Sequence, residues 1–391
     1  YQKKKIIILG STGSIGKSAL NVIKKNRNKI DIVCLSSNKN FKKLYNQSRT
    51  YNVKNLILND NKYILKAKKF FKNKKINLYC SIDEYIKVNK VKVDYVIIGI
   101  SGLDGLYPTL KVIPYTKNLA SANKESIICG WKFIKNKLEK YKTNFIPIDS
   151  EHFSIWTLIK QDEDLISKIY LTASGGPFLK IPINKLKKTS IGKVLKHPNW
   201  SMGKKISTDS ATMMNKVLEV LEASKIFNLE LSKIKIIVHP KSIIHAIIVF
   251  NNGLVKFLMH DTSMEIPIFN VIFKNDKTKF YNHTDFKFKN LNGINFIKPD
   301  EKKFPYMNIL KNLKSRNSFF ETTLVTINDE LVKLFLKKKI TFIEMQNLLL
   351  RLIKNNKFTK YYNKYPKNIN DIYSMADKVK KDLKKYEKNF K

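Results

Sequence analysis

The sequence predicts an α/β chain in three parts: an N-terminal parallel sheet, a central α+β domain and a C-terminal helical bundle. Three observations predict it. Residues 5–9 form a β-branched apolar run that passes through a glycine-rich turn into an amphipathic helix. Short apolar runs of the same kind recur up to residue 149, with helical patterns between them. Beyond residue 305 only helical periodicity remains, as apolar stripes on a lysine-rich background. A length of 391 residues exceeds one ordinary domain. The expected division is residues 1–148, residues 149–275, a polar connector at 276–304, and the helical part at 305–391.

Composition narrows the function. Lys and Arg number 75 against 31 Asp and Glu, a formal charge of +44. Such a balance attracts nucleic acid and acidic surfaces. The lysines are spread over the whole length among much Ile, Asn, Tyr and Phe, however, which reads as drift toward AT-rich codons at tolerant surface sites. No nucleic-acid partner is therefore expected. The longest apolar runs, such as 243–250, fall far short of the roughly 20 residues of a membrane span. Cys34, Cys80 and Cys129 show neither pairing nor metal spacing, which suits a reducing compartment. The first strand starts almost at once, so no signal or transit segment is expected within this chain.

In the first part, the turn at 10–16 reads GSTGSIG, and Ala19, Leu20 and Ile23 give the following helix its buried side. Strand, glycine turn and helix open a Rossmann-type nucleotide-binding unit, in which glycine lets the backbone approach a pyrophosphate. The second strand, 30–35, is followed by Ser36-Ser-Asn-Lys-Asn40 rather than by an acidic residue. Lys39 would accept a ribose 2′-phosphate, which argues for NADP over NAD. Residues 55–58 and 94–98 read as further strands, and Gly99, Gly102 and Gly105 mark a loop where ligands bind in open sheets. At 119–125 another strand turns into Asn123, Lys124 and Glu125, which would face the nicotinamide half of the crevice.

The central part carries the charged chemistry. Strand 145–149 ends in Asp149-Ser-Glu151, and in an extended segment residues i and i+2 point the same way. Their repulsion is resolved by an oxygen-ligated cation. Residues 171–177 are a strand entering a glycine turn at Ser174. His197, Trp200 and Met202 lie on an irregular loop suited to closing over a substrate. A helix follows, with Ser210 expected near its first turn, where backbone N–H groups favour an anion. Asn215 and Lys216 add phosphate donors, and Glu219 shares a face with Asn215. A carboxylate beside a phosphate set asks for a cation between them, so Glu219 is expected to join Asp149 and Glu151 as a metal ligand. Three carboxylates suit Mg2+ or Mn2+. His152, His239 and His245 read as packing or supporting residues. In the tail, 324–336, 342–353 and 369–386 are helices without the makings of a site.

Seven motifs in order, GSTGSIG, ANKES, DSEH, SGGPF, HPNWSMGKKIS, DSATMMNK and HPKSIIH, make the chain resemble the 1-deoxy-D-xylulose 5-phosphate reductoisomerase family over nearly its full length. The resemblance implies conversion of that sugar phosphate to 2-C-methyl-D-erythritol 4-phosphate with NADPH and a divalent cation, on the way to isoprenoid precursors. It implies Asp149, Glu151 and Glu219 as metal ligands and Ser174, Ser210, Asn215 and Lys216 as phosphate ligands. His197 and Trp200 fall on the closing loop, while Lys124 and Ser150 touch the substrate. Thr12, Gly13, Ser14, Ile15, Asn38, Lys39, Asn40, Asn123, Glu125 and Gly203 match the NADPH contacts. A homodimer is implied, in a cytoplasm or in a plastid after loss of a leader. Val217 and Asn38 stand where the family usually has glycine, and Asn328-Asp-Glu330 echoes its ANE segment loosely.

The rival enzyme, another NADP-dependent Rossmann oxidoreductase such as a semialdehyde dehydrogenase, needs a nucleophilic Cys in a glycine-rich, His-partnered setting, and none of the three has one. The Lys39 argument predicts that NADPH supports turnover well above NADH, read by absorbance at the nicotinamide band; equal rates would remove it.

Overall fold

The computed structural model describes residues 2–159, 165–274, 277–280, 291–313 and 317–387. Residues 276 and 281–290 of the expected connector lie outside the described residues. The chain forms two compact units. The first is Tyr1–Asn123, Ile134–Phe153 and Ser263–Asp285; the second is Lys124–Phe133, Ser154–Thr262 and Phe286–Lys391.

The first unit holds seven parallel strands: β1 (Lys4–Leu9), β2 (Ile30–Ser37), β3 (Asn55–Leu58), β4 (Asn77–Tyr79), β5 (Val93–Ile98), β6 (Thr116–Ser121) and β7 (Asn144–Pro147). Their order is β4-β3-β2-β1-β5-β6-β7. The chain works outward from β1 to β4, then returns to pair β5 with β1, so the winding reverses there and the crevice opens at the carboxyl ends of those two strands. Ile6, Ile7, Ile8 and Leu9 are all buried, as a strand covered on both faces requires. β2 extends past the expected strand through Ser36 and Ser37. These serines stay buried because the Ser36 hydroxyl accepts from the Gly10 N–H at 2.9 Å and Ser11 donates to the Ser36 carbonyl. The three-residue β4 is too short to leave a period in the sequence.

Helices α1 (Ser14–Lys24), α2 (Phe41–Tyr51), α3 (Asn61–Phe71), α4 (Ile82–Val88) and α5 (Leu106–Val112) connect these strands. α1 buries Ala19, Leu20 and Ile23 as expected. Gly10 sits at φ +83°, and a Cβ there would meet the Gly99 carbonyl carbon at 2.7 Å. At Gly16 a Cβ would lie 2.4 Å from Ser11 Cα, so α1 can start this close to the turn only without a side chain. α6 (Lys124–Tyr141) and α7 (Ser150–Leu158) carry the chain between the units.

In the second unit β8 (Ile166–Ala173), β9 (Ile234–Val238), β10 (Ile244–Phe250) and β11 (Val255–Met259) form a mixed sheet in the order β11-β10-β8-β9. Helices α8 (Ile191–Leu195), α9 (Lys204–Ala211) and α10 (Met214–Ile226) lie between β8 and β9 in sequence. Ile169 and Leu171 of β8, Ala246 and Ile248 of β10, and Val220 and Ala223 of α10 make one core. α11 (Glu265–Ile272) returns to the first unit, where Lys4 donates to the Ile272 carbonyl at 2.7 Å. The tail is α12 (Phe319–Leu336), α13 (Phe342–Leu352), α14 (Asn356–Thr359) and α15 (Ile369–Glu387), close to the helices the periodicity predicts. Capping boxes at Ser318/Glu321 and Thr341/Glu344 fix the starts of α12 and α13. No described helix is long and apolar enough to cross a membrane.

Two local expectations are corrected. Asp149 and Glu151 do not share a side by strand alternation, because α7 starts at Ser150 and Asp149 precedes it, its carbonyl accepting from Phe153 N–H at 2.7 Å. The stretch around Ser210 is two helices, not one. Met213 adopts φ +63° and breaks α9 from α10, so Ser210 lies in the last turn of α9 and Asn215 and Lys216 take the first turn of α10.

Replacing Gly16 with Ala is expected to destabilise the first unit by about 1–3 kcal/mol, the scale of overpacking a tight site. The check is the thermal unfolding midpoint; an unchanged midpoint would show that α1 shifts at no cost.

Candidate active site

α10 is buried on every side: Lys216, Glu219 and Glu222 are as inaccessible as Val217 and Leu218. Glu219 is 1% exposed, and its carboxylate accepts from Asn215 Nδ2 and Lys216 Nζ, one turn back on the same helix. Lys124 Nζ lies 3.5 Å from it and donates to Asn215 Oδ1 at 2.8 Å. Glu219 thus has two ammonium groups within ion-pair distance. Asn215 links Lys124 to the carboxylate through its amide.

Ser174 follows β8 in a turn whose Gly175 and Gly176 both have positive φ. A Cβ on Gly176 would stand 2.9 Å from the Ser210 carbonyl oxygen, so the turn rests on the end of α9. Ser174 Oγ lies 2.9 Å from His197 Nε2 and accepts from the Gly176 N–H at 3.0 Å. His197 Nδ1 accepts from the backbone N–H groups of Asn199 (3.2 Å) and Trp200 (2.9 Å). With Nδ1 an acceptor, the ring proton sits on Nε2 and donates to Ser174. The Ser174 hydroxyl then accepts twice, and its own proton remains as a donor. Burial, with the Lys216 ammonium nearby, pulls the His197 pKa down to about 4, in keeping with a neutral ring. Residues 196–203 form an irregular loop, as expected, but it is tied down. Asn199 Nδ2 donates to the Pro240 carbonyl and Ser242, and Trp200 packs edge-on to His245 with centroids 6.0 Å apart. His239 and His245 are buried, as read from the sequence.

In the first unit, Thr12 and Gly13 lie in the glycine turn and Ser14 and Ile15 open α1. Asn38, Lys39 and Asn40 are exposed beyond β2, and Asn40 caps α2 by accepting from Lys43 N–H. Lys43, which the sequence reading passed over, donates to the Thr12 carbonyl at 2.9 Å; burial and neighbouring Lys17 bring it down to about 8. Asn123 is spent structurally, donating to the carbonyls of Ile100 and Gly102. Asp149 and Glu151 bring carboxylate oxygens within 4.8 Å of each other, and Ser150 donates to Glu151.

Family models cover most of the chain. That for 1-deoxy-D-xylulose 5-phosphate reductoisomerase matches residues 6–130, and its C-terminal domain models match 145–227 and 259–382. The enzyme of that name from Pelagibacter ubique (strain HTCC1062) is 49% identical over 379 residues, spanning 96% of this chain and 97% of the relative. The chain belongs to the 1-deoxy-D-xylulose 5-phosphate reductoisomerase family. A Wolbachia member from Culex pipiens is 35% identical over 97% of this chain and 95% of its own. Among solved structures, a reductoisomerase in complex with NADPH, fosmidomycin and magnesium superposes with a TM-score of 0.91 at 27% identity, covering 98% of both chains. The Zymomonas mobilis reductoisomerase in complex with NADPH gives 0.85 at 27% identity, covering 97% of both.

One further cluster of this reductoisomerase family member was not visible in the sequence. Lys205, near the start of α9, meets Glu125 at 2.6 Å, Asp209 at 2.9 Å and Asp329 at 3.1 Å. Asn328 donates to the other Asp209 oxygen at 2.9 Å. The Glu125 carboxylate is therefore engaged with a lysine. Only the Lys205–Asp209 spacing, four residues apart, carried a signal. Gly203, expected at the cofactor, caps α9 with open space at its Cβ position.

His197 is expected to stay neutral from pH 5 to pH 8. Its folded pKa lies below the unfolded value, so its share of stability is full above about pH 6.5 and is lost as pH falls toward about 4. An NMR titration of the ring is the check, and an inflection near 6.5 would contradict it.

Proposed function

We propose that the protein converts 1-deoxy-D-xylulose 5-phosphate to 2-C-methyl-D-erythritol 4-phosphate, oxidising NADPH and using Mg2+ or Mn2+, in the supply of isoprenoid precursors. The observation that carries this is the buried group of Lys124, Asn215 and Lys216 around Glu219, on stretches that resemble the family's ANKES and DSATMMNK motifs. Lys216, Asn215, Ser210 and Ser174 bind the phosphate. Ser174 offers the proton that its two accepted hydrogen bonds direct outward. Lys124 and Ser150 hold the sugar, and Trp200 with His197 covers it and excludes water.

Asp149, Glu151 and Glu219 hold the cation. The set is all carboxylate, which fits a hard divalent ion. The cation supplies Lewis acidity to vicinal sugar oxygens, and NADPH supplies the hydride. Thr12, Gly13, Ser14 and Ile15 receive the cofactor's pyrophosphate at the start of α1. Asn38, Lys39 and Asn40 take its ribose phosphate, and Asn123 and Gly203 frame the rest.

The same reading makes the protein a cytoplasmic homodimer. β11 is an edge strand whose Val255 and Phe257 are half exposed, as is neighbouring Leu254, a surface that a second copy would cover.

The test is NADPH oxidation with the sugar phosphate, with and without a chelator, in the protein and in Glu219→Gln. The substitution is expected to lower kcat at least about 100-fold, the loss of several kcal/mol of charge stabilisation, while NADPH binding by fluorescence is retained. Undiminished metal-dependent turnover would take Glu219 out of the ligand set.

A further inference from the structure

We propose that Asp329 of the C-terminal helices is a positioning residue for the reaction, acting through Lys205 and Glu125 on Lys124. The inference rests on Lys124 being a substrate-side residue, as proposed above. Three helices meet at one ammonium. Glu125 stands at the start of α6, next to Lys124; Lys205 stands two residues past Gly203, where residues 196–203 enter α9; Asp329 comes from the middle of α12.

α9 has only eight residues, too few to hold a helix by itself. Its first turn is fixed instead by Lys205, and one turn on, Asp209 is gripped by both Lys205 and Asn328. Lys205 therefore sets where residues 196–203 end and where α6 begins. A change at Asp329 reaches Lys124 through two short ion pairs, with no contact to substrate needed.

A role as mere glue between helices would not need this charge pattern. Three carboxylates face one lysine, which is a costly way to join helices compared with apolar packing. Burial and the neighbouring carboxylates of Glu125 and Asp209 lift Asp329 to about 6 against the pull of Lys205. Asp329→Asn removes one of these carboxylates while keeping shape and volume, which makes it the variant of choice.

The test uses the full chain. Hydrogen exchange by mass spectrometry is compared between the protein and Asp329→Asn, alongside kcat and KM for both substrates. Faster exchange in residues 124–133 and 196–211 is expected, with kcat down about 10-fold or more, the scale of a small misplacement near the chemistry. The sugar phosphate KM is expected to rise more than the NADPH KM, and Asp329→Glu should restore much of the rate. Asn328→Ala, which leaves every charge in place, should give the same changes in smaller measure if Asp329→Asn folds poorly. A lower unfolding midpoint with kcat, KM and exchange at residues 124–133 unchanged would overturn the proposal. So would a loss confined to NADPH affinity. Exchange is read without turnover, so an inactive parent protein would count against the proposed reaction while the link from Asp329 to α6 and α9 is still decided.

Discussion

A carboxylate that cannot reach water has to be answered by positive charge, and Glu219 imposes that demand on everything around it. α10 is inaccessible along most of its length, so Glu219 cannot turn outward. Lys216 answers from the same helix and Lys124 from α6, with Asn215 bridging Lys124 to the carboxylate. Removing one partner of such a buried group costs about 3–5 kcal/mol because the survivor is left uncompensated. The arrangement is therefore kept whole or lost whole. Two ammonium groups held in fixed places are the consequence.

The backbone break at Met213 serves the same end. A non-glycine residue at φ +63° is unfavourable and persists only where the surroundings dictate it. Here the core dictates it, since Met213 is 2% exposed and packs with Ala173 and Val238. Ending α9 and restarting as α10 puts Asn215 and Lys216 in a first helical turn, where dipole and side chains favour an anion together. The glycine turn after β8 then rests on the end of α9 and carries Ser174 with it. Ser174 is in turn held by a neutral His197 that the N–H groups of Asn199 and Trp200 lock into one tautomer. Each of these steps needs the one before it.

The reach of the sequence can be judged residue by residue. β1, the glycine turn and α1 were legible because a β-branched run, fixed glycines and a 3.6-residue period leave local marks, and Gly10 and Gly16 turn out to be demanded by atoms less than 3 Å away. The tail helices were legible for the same reason. The split at Met213 was not, since nothing in a methionine announces a left-handed backbone. Nor was the helical placing of Glu151, because the strand before it gave no signal of where α7 begins. Asn328 and Asp329 were the hardest: their meaning lies in Asp209 and Lys205, more than a hundred residues away, and periodicity carries no information about such pairs.

The lysine excess shows how burial separates chemistry from composition. Many of the lysines among the described residues are exposed. Lys124, Lys216 and Lys225 are buried, and each sits within hydrogen-bonding or ion-pair distance of a glutamate: Glu219 for the first two and Glu321 for the third. Drift in codon usage can add lysines to a surface at little cost, because water solvates them there. It cannot add them to an interior, where each needs a carboxylate already in place. The net charge of +44 thus belongs mainly to the solvated exterior, while the few interior lysines are fixed by their acids. A dedicated nucleic-acid role would reverse this assignment, drawing on the exterior lysines and leaving the buried pairs without a purpose.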